Sequence, residues 1–326
     1  MPVRKLLLSL QAVSEASRLR LAEELPDWEY WECSFDEFSR LIVESKKDQP
    51  LSKVQILHLR SKPRITTEIL DRLPQLKLIA LGCAGFDHID LEACKDRNVS
   101  VIHLPGVNSA AVAELSLALI LHCLRPICEA NARLKSGGWN REEFLGRELD
   151  QKKVGILGLG KIGSRLARAL VALGAKVSAC DPFVENETFD ELGVERLELD
   201  ELFESSEILS LHCPLNSETH KIVSASRLEK LPRSAILINT ARAGLLDESA
   251  LLESLECGQL SRVALDVFEE EPLPVDHIFR RHSQIFLTPH LGSRSLEAQN
   301  RMESEIIKNI IEFVKNNQLI HPQETA

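Results

Sequence analysis

The sequence predicts an α/β protein with two doubly wound parallel-sheet domains. Three observations carry this. Short apolar runs recur along the chain, segments of helical spacing separate them, and the alternation breaks once near Pro105-Gly106 before resuming. A length of 326 residues suits two such domains, each with its own core.

The elements follow in order. "KLLLSL", "VQILHL", "QLKLIAL" and "VSVIHL" read as buried strands, and "ITTEILDRL" as a helix whose threonine can cap its N-terminus. A long helix begins at Asn108 or Ser109 with Val112, Leu115, Leu119 and Ile120 on one face. Pro126 should interrupt it and Gly137-Gly138 should stop it. "GGWNREEFLGRELDQKK" is a polar connector or arm. Six strands are then expected at 153–157, 176–180, 207–211, 235–239, 262–266 and 285–288, with helices at 162–173 and 247–256 among them. A last helix, 295–315, leads into a polar tail, "NNQLIHPQETA", that should fray.

Composition narrows the function. Hydrophobic content of 44% and charged content of 27% are ordinary for a globular protein. A net charge of −10 argues against a nucleic-acid or anionic-membrane binder, yet a few local arginines would suffice for a small anionic substrate. The eight cysteines contain no C-x-x-C pair, so neither a zinc site nor a disulfide framework is indicated, and a cytoplasmic location is expected. Arg4 and Lys5 before "LLLSL" imitate a signal peptide. The run is short and lacks a cleavage site, so it reads as a first buried strand. No run approaches the ~20 apolar residues of a membrane span.

The most specific motif is "KKVGILGLGKIGSRLARALVALGAKVSACD". A strand leads into Gly158-x-Gly160-x-x-Gly163, then a helix with Ile162, Leu166, Leu170 and Leu173 on one face, then a second strand ending at Asp181. In a dinucleotide site Gly158 permits the tight turn, Gly160 lets the pyrophosphate approach the backbone, and Gly163 lets helix pack on strand. The helix N-terminus offers free N–H groups to the phosphates. Asp181, 18 residues past Gly163, would accept from the ribose hydroxyls and repel a 2′-phosphate, so the expected cofactor is NAD, in a Rossmann domain.

Ligands of such sheets bind at the carboxyl ends of the strands. There the sequence places "HCPLNSETH", "NTARAG", Asp266 followed by "VFEEEP", and "TPHLG". Arg242 can hold a carboxylate in a bidentate fork and polarise the adjacent carbonyl. His290 can take or give a hydroxyl proton. A glutamate bonded to that histidine would fix its tautomer. Glu269, Glu270 and Glu271 all offer themselves, and only Glu271 is restrained to extended backbone by the following Pro272.

With these motifs in this order, from "LRSKPRIT" through "CAGFDHIDL", "VNSAAVAE", "GILGLGKIG", "INTARAGLLDE" and "ALDVFEEEP" to "TPHLG", the chain resembles the D-2-hydroxyacid dehydrogenases over nearly its whole length. The resemblance implies that Arg242, Glu271 and His290 are the catalytic set. It implies a flavodoxin-like substrate domain from residues 1–102 and 294–326, a Rossmann NAD domain from residues 103–293, and an active site in the cleft between them. Lys161 and Ile162 match the pyrophosphate contact, Cys213 and Thr240 further cofactor contacts, and Asp266 the nicotinamide carboxamide contact. Cys83, Ala84 and Gly85 match the loop that holds the substrate carboxylate, and Arg60 and Ser61 further substrate contacts. The arm after Gly137 matches the family's dimer contact, so a homodimer is expected. The implied chemistry is hydride transfer between nicotinamide C4 and C2 of a small 2-hydroxy acid, with no metal.

In pattern the chain is most similar to 3-phosphoglycerate dehydrogenases, which would place it in serine biosynthesis, without the C-terminal regulatory domain of the longer members. Leu81 and Ala84 depart from the basic residue and threonine many of those carry, and Ala243 replaces the glycine usual after the arginine. Glyoxylate, hydroxypyruvate and erythronate-4-phosphate remain alternatives as substrate class. An NADH-sensing corepressor of the same fold is the non-enzyme alternative, and Glu271 speaks against a formate-type enzyme.

Overall fold

Apolar residues placed back to back dictate the first sheet. The computed structural model describes residues 5–44 and 50–319. Arg4 and the end of the polar tail lie outside them. The first strands are β1 (Lys5–Ser9), β2 (Trp28–Glu32), β3 (Val54–Leu59), β4 (Leu78–Leu81) and β5 (Ser100–Ile102). They pair in parallel in the order β2-β1-β3-β4-β5. This is the doubly wound order whose reversal falls between β1 and β3. Strands β3 and β4 are buried almost throughout, as continuous apolar runs in a parallel sheet should be. The final helix, Leu296–Asn316, lays Met302, Ile306 and Ile310 against Leu7, Ile56, Leu78 and Ala80. Residues 1–108 and 296–326 thus form one compact unit.

Residues 109–295 form the second unit. Its strands are β6 (Lys153–Leu157), β7 (Lys176–Cys180), β8 (Glu195–Arg196), β9 (Ile208–Leu211), β10 (Ala235–Asn239), β11 (Leu260–Leu265) and β12 (Ile285–Leu287). All pair in parallel, in the order β12-β11-β10-β9-β6-β7-β8. The reversal beside β6 opens the crevice in which such sheets take ligands. Helix Lys161–Ala172 packs Leu166 and Leu170, both fully buried, on this sheet. Truncating either to alanine would cost about 2–5 kcal/mol.

Pro126 divides the long helical segment as expected. Helix Ser109–Leu124 ends before it, and Ile127–Lys135 begins after it, with Pro126 at its N-cap. Three expectations need correction. Thr66 does stand at the N-cap of helix Thr67–Asp71, but makes no side-chain cap bond; its hydroxyl donates to Glu68 Oε2 at 2.5 Å instead. Leu173 leaves the apolar face of its helix, being the C-cap residue and 49% exposed. Strands β2 and β8 were not among those expected: β2 is half-exposed and β8 has two exposed residues, so neither carries an apolar run.

Candidate active site

The glycine-rich turn follows β6. Gly158 has φ +95°, and a Cβ there would meet the Cys213 backbone nitrogen at 2.6 Å. A Cβ on Gly163 would lie 2.1 Å from Gly158 O, so helix and turn touch backbone to backbone. At Gly160 nothing lies within 4 Å of the Cβ position. Gly158 and Gly163 are therefore required by packing, whereas Gly160 leaves open space at the N-cap of helix Lys161–Ala172. Gly160 offers no side-chain cap to that helix, whose N-terminus begins at Lys161 and Ile162 with the N–H donors and partial positive charge of a helix start. A pyrophosphate fits this donor set. Asp181 stands at the exit of β7, where Oδ2 accepts from Leu159 N at 2.8 Å and Oδ1 from Phe183 N at 3.0 Å. Both bonds fix the carboxylate beside the turn and leave each oxygen a lone pair for a ribose hydroxyl.

Cys213 and Thr240 stand just past β9 and β10. Burial pushes the Cys213 thiol up to about 12, so it stays protonated. Ser116 donates its hydroxyl proton to Val112 O at 2.8 Å, so at the 2.8 Å Ser116–Thr240 contact Thr240 is the donor. Arg242 follows β10. Buried Asn239 shapes its loop, donating from Nδ2 to Arg242 O at 2.8 Å and accepting from Ala241 N at 3.0 Å. Arg242 Nη1 donates to Ala241 O at 2.7 Å.

The exits of β11 and β12 are bound to each other. Asp266 is fully buried. Its Oδ1 accepts from Thr288 Oγ1 at 2.6 Å and from Leu291 N at 2.7 Å, and its Oδ2 from Gly292 N at 2.8 Å. Burial raises its pKa, against the lowering effect of these three bonds. The turn they hold presents His290, whose φ is +51°. His290 Nδ1 lies 2.8 Å from Glu271 Oε2 and 3.1 Å from Oε1. Glu271 Oε1 also accepts from Phe268 N at 3.1 Å, which fixes the carboxylate's rotation. A carboxylate can only accept here, so Nδ1 carries the proton and Nε2 is left to exchange one with a ligand. Glu269 and Glu270 do not share this position: the structure brings Glu271 alone of the three to the imidazole.

In the first unit, Arg60 and Ser61 follow β3, and Cys83, Ala84 and Gly85 follow β4. The Cys83 thiol lies 3.3 Å from Arg60 O and 3.2 Å from Gly85 O and shares its one proton between these two acceptors, a weak tie between the loops. His103 Nδ1 bonds Ala84 O at 2.8 Å, so it too is the protonated nitrogen. Arg60 Nη1 donates to Gln299 Oε1 at 2.5 Å. Sequence reasoning missed Asn239, Thr288, Ser116 and Gln299. Asn239 and Thr288 lie inside motifs that were singled out, but their bonds depend on contacts made only in the fold.

Sheet order, glycine turn and polar strand exits together define a dinucleotide-binding α/β protein with an acid–base pair at the carboxyl edge. Residues 117–292 match the family model "D-isomer specific 2-hydroxyacid dehydrogenase, NAD binding domain". The chain is 38% identical over 263 residues to a hydroxypyruvate reductase of Thermotoga maritima, covering 80% of this chain and 85% of that protein. It is 36% identical over 284 residues to the D-3-phosphoglycerate dehydrogenase of Bacillus subtilis, covering 87% of this chain but only 54% of that protein. The chain therefore spans about half the length of that relative. Among solved structures, a D-lactate dehydrogenase of Aquifex aeolicus, complexed with NAD and lactic acid, superposes with a TM-score of 0.82 at 28% identity, over 96% of each chain. The chain belongs to the D-isomer-specific 2-hydroxyacid dehydrogenase family.

Proposed function

We propose that the protein interconverts a D-2-hydroxy acid and its 2-oxo acid, with Arg242, Glu271 and His290 as the catalytic set. The observation that carries this reading is the Glu271–His290 pair, 2.8 Å apart, on the same sheet edge as the glycine turn. Residues 158–163, Asp181, Cys213, Thr240 and Asp266 would hold NAD, which supplies or accepts hydride at C2 when bound. His290 Nε2 takes the hydroxyl proton in oxidation and returns it in reduction, while Glu271 keeps the ring in one tautomer. The Arg242 guanidinium orients the carboxylate and polarises the carbonyl. Residues 83–85 of the first unit would share in holding that carboxylate, with Arg60 and Ser61 as further substrate contacts, which makes the first unit the substrate domain and the second the cofactor domain.

The substrate favoured is a three-carbon 2-oxo acid with an oxygen on C3: 3-phosphohydroxypyruvate, the oxidised partner of 3-phosphoglycerate, or unphosphorylated hydroxypyruvate. Relatives of both kinds support it. NADH oxidation at 340 nm with 3-phosphohydroxypyruvate, hydroxypyruvate, glyoxylate and 2-oxoglutarate tests the reading. A hundredfold preference in kcat/KM for either three-carbon acid is expected; inactivity with all four would refute it. NADPH should serve at least tenfold worse than NADH, because Asp181 repels a 2′-phosphate.

The working form is proposed to be a cytoplasmic homodimer. Trp139 and Leu145 in the arm are 80% and 92% exposed, apolar surface that a second copy would cover. All eight cysteines are free thiols, which suits a reducing compartment. Light scattering at micromolar concentration should give twice the chain mass.

A further inference from the structure

Three polar side chains, Ser9, Gln11 and His58, gather where the five-stranded sheet reverses, and the site described above uses none of them. His58, on β3, is fully buried. Its Nδ1 lies 3.0 Å from Ser9 Oγ and its Nε2 lies 2.6 Å from Gln11 Nε2. Ser9 spends its single hydroxyl proton on Gln11 O, at 2.8 Å. Ser9 Oγ must therefore accept from His58 Nδ1–H, which leaves His58 Nε2 bare and able to accept from the Gln11 amide. The ring is held neutral: burial pulls its pKa down to about 4. Every member of the chain Gln11–His58–Ser9 is thus fixed in both rotation and proton position.

The fixed amide sits against the substrate loop. A Cβ on Gly82, the residue before Cys83, would lie 3.0 Å from Gln11 Nε2, 3.3 Å from His58 Nε2 and 3.4 Å from Arg60 Cγ. Glycine at 82 makes room for this group of side chains directly under the loop. Gln11 is half-buried at the sheet's carboxyl edge, at the exit of β1. Once His58 has taken one amide proton, Gln11 keeps one N–H and its carbonyl oxygen, and among the described residues no side chain or backbone group bonds that oxygen. A preorganised donor and acceptor side by side at a switch point suits an oxygen substituent on a small ligand.

We propose that Gln11 is a specificity residue that recognises the oxygen on C3 of the substrate, and that His58 is the positioning residue that holds it. This rests on the 2-oxo acid reading above. A free hydroxyl can donate to Gln11 Oε1 and accept from Nε2–H; a phosphate ester oxygen can only accept. A hydrogen-bonding site discriminates against a ligand that lacks the matching group, because its own polar atoms are then left unpaired.

The test compares kcat/KM for hydroxypyruvate, 3-phosphohydroxypyruvate and pyruvate, with NADH, in wild type, Gln11→Met and His58→Phe. Wild type should prefer a C3-oxygenated acid to pyruvate. Gln11→Met should lose about tenfold or more on that acid, mainly through KM, and stay within about twofold on pyruvate. The acid that suffers identifies the oxygen as hydroxyl or phosphate ester. His58→Phe should shift the same ratio in the same direction, since the amide loses its anchor. Equal losses on all three acids, or no loss from Gln11→Met, would overturn the proposal. A wild type active on pyruvate but not on either oxygenated acid would overturn it while leaving the dehydrogenase reading standing. A wild type inactive on all three would overturn both.

Discussion

Asp266 accepts backbone hydrogen bonds from Leu291 at 2.7 Å and Gly292 at 2.8 Å, so a carboxylate on the exit of β11 holds the turn that presents His290. Two charge-assisted bonds at a buried carboxylate bind the exits of neighbouring strands together. The residue is therefore an anchor of the histidine turn, whatever else it contacts when a cofactor is bound.

Replacing Asp266 by asparagine would turn an NH2 toward at least one of those N–H groups. Stability should fall by about 2–4 kcal/mol, the cost of unpairing charged hydrogen bonds in a buried site. Urea titration measures this. A variant with an unchanged midpoint would show that the turn is held by other contacts.

His290→Ala removes the group proposed to move the proton, while the glycine turn stays intact. Turnover should fall at least about a thousandfold, within the range that general acid–base catalysis supplies. NADH binding, followed by fluorescence titration, should stay within about threefold. Wild-type kcat/KM in this variant would disprove the assignment.

Gly160→Ala and Gly163→Ala separate packing from ligand contact. The methyl of the first enters open space, and that of the second lands 2.1 Å from Gly158 O. Gly160→Ala should keep the wild-type Tm yet weaken NADH binding at least tenfold, because the methyl occupies the approach to the backbone. Gly163→Ala should also lower stability, by about 1–3 kcal/mol, as overpacking does. Unimpaired NADH binding by Gly160→Ala would place the dinucleotide elsewhere.

The neutral His58 makes stability depend on pH. Its folded pKa of about 4 lies below the 6.5 of a free imidazole, so between those values the unfolded chain binds the extra proton. The contribution is present above pH 6.5 and is lost as pH falls from 6.5 through 4, by about 3 kcal/mol in all. His58→Phe should flatten the urea-midpoint profile over this window. A profile as steep as wild type would assign the effect to other groups.

Much of this was legible in the residues. Buried parallel strands announce themselves as apolar runs, and the glycine motif carries its own spacing, so β1, β3, β4, β5 and the strands from β6 onward were readable apart from β8. Strand β2, "WEYWE", was not, because an edge strand with both faces partly open needs no apolar run. Glu271 could be preferred to its two neighbours through Pro272 and the family resemblance, but its grip on Phe268 N needed the fold. The anchoring bonds of Asp266 and the loop-shaping bonds of Asn239 were hidden for a plainer reason. A buried polar side chain looks the same in sequence whether its partner is water or a backbone group, and only tertiary contact decides.

Strands β10, β11 and β12 follow one another along the chain and lie side by side in the sheet. Arg242, Glu271 and His290 leave from those three strands in turn. The pitch of the ladder, about 4.8 Å per strand, therefore acts as a ruler for the three side chains proposed as the catalytic set. The glycine turn and Asp181 leave from β6 and β7, on the other side of the reversal. Gln11 and Arg60, proposed to choose the acid, belong to the first unit, so substitutions there leave the β10–β12 ladder and the side chains it spaces unaltered.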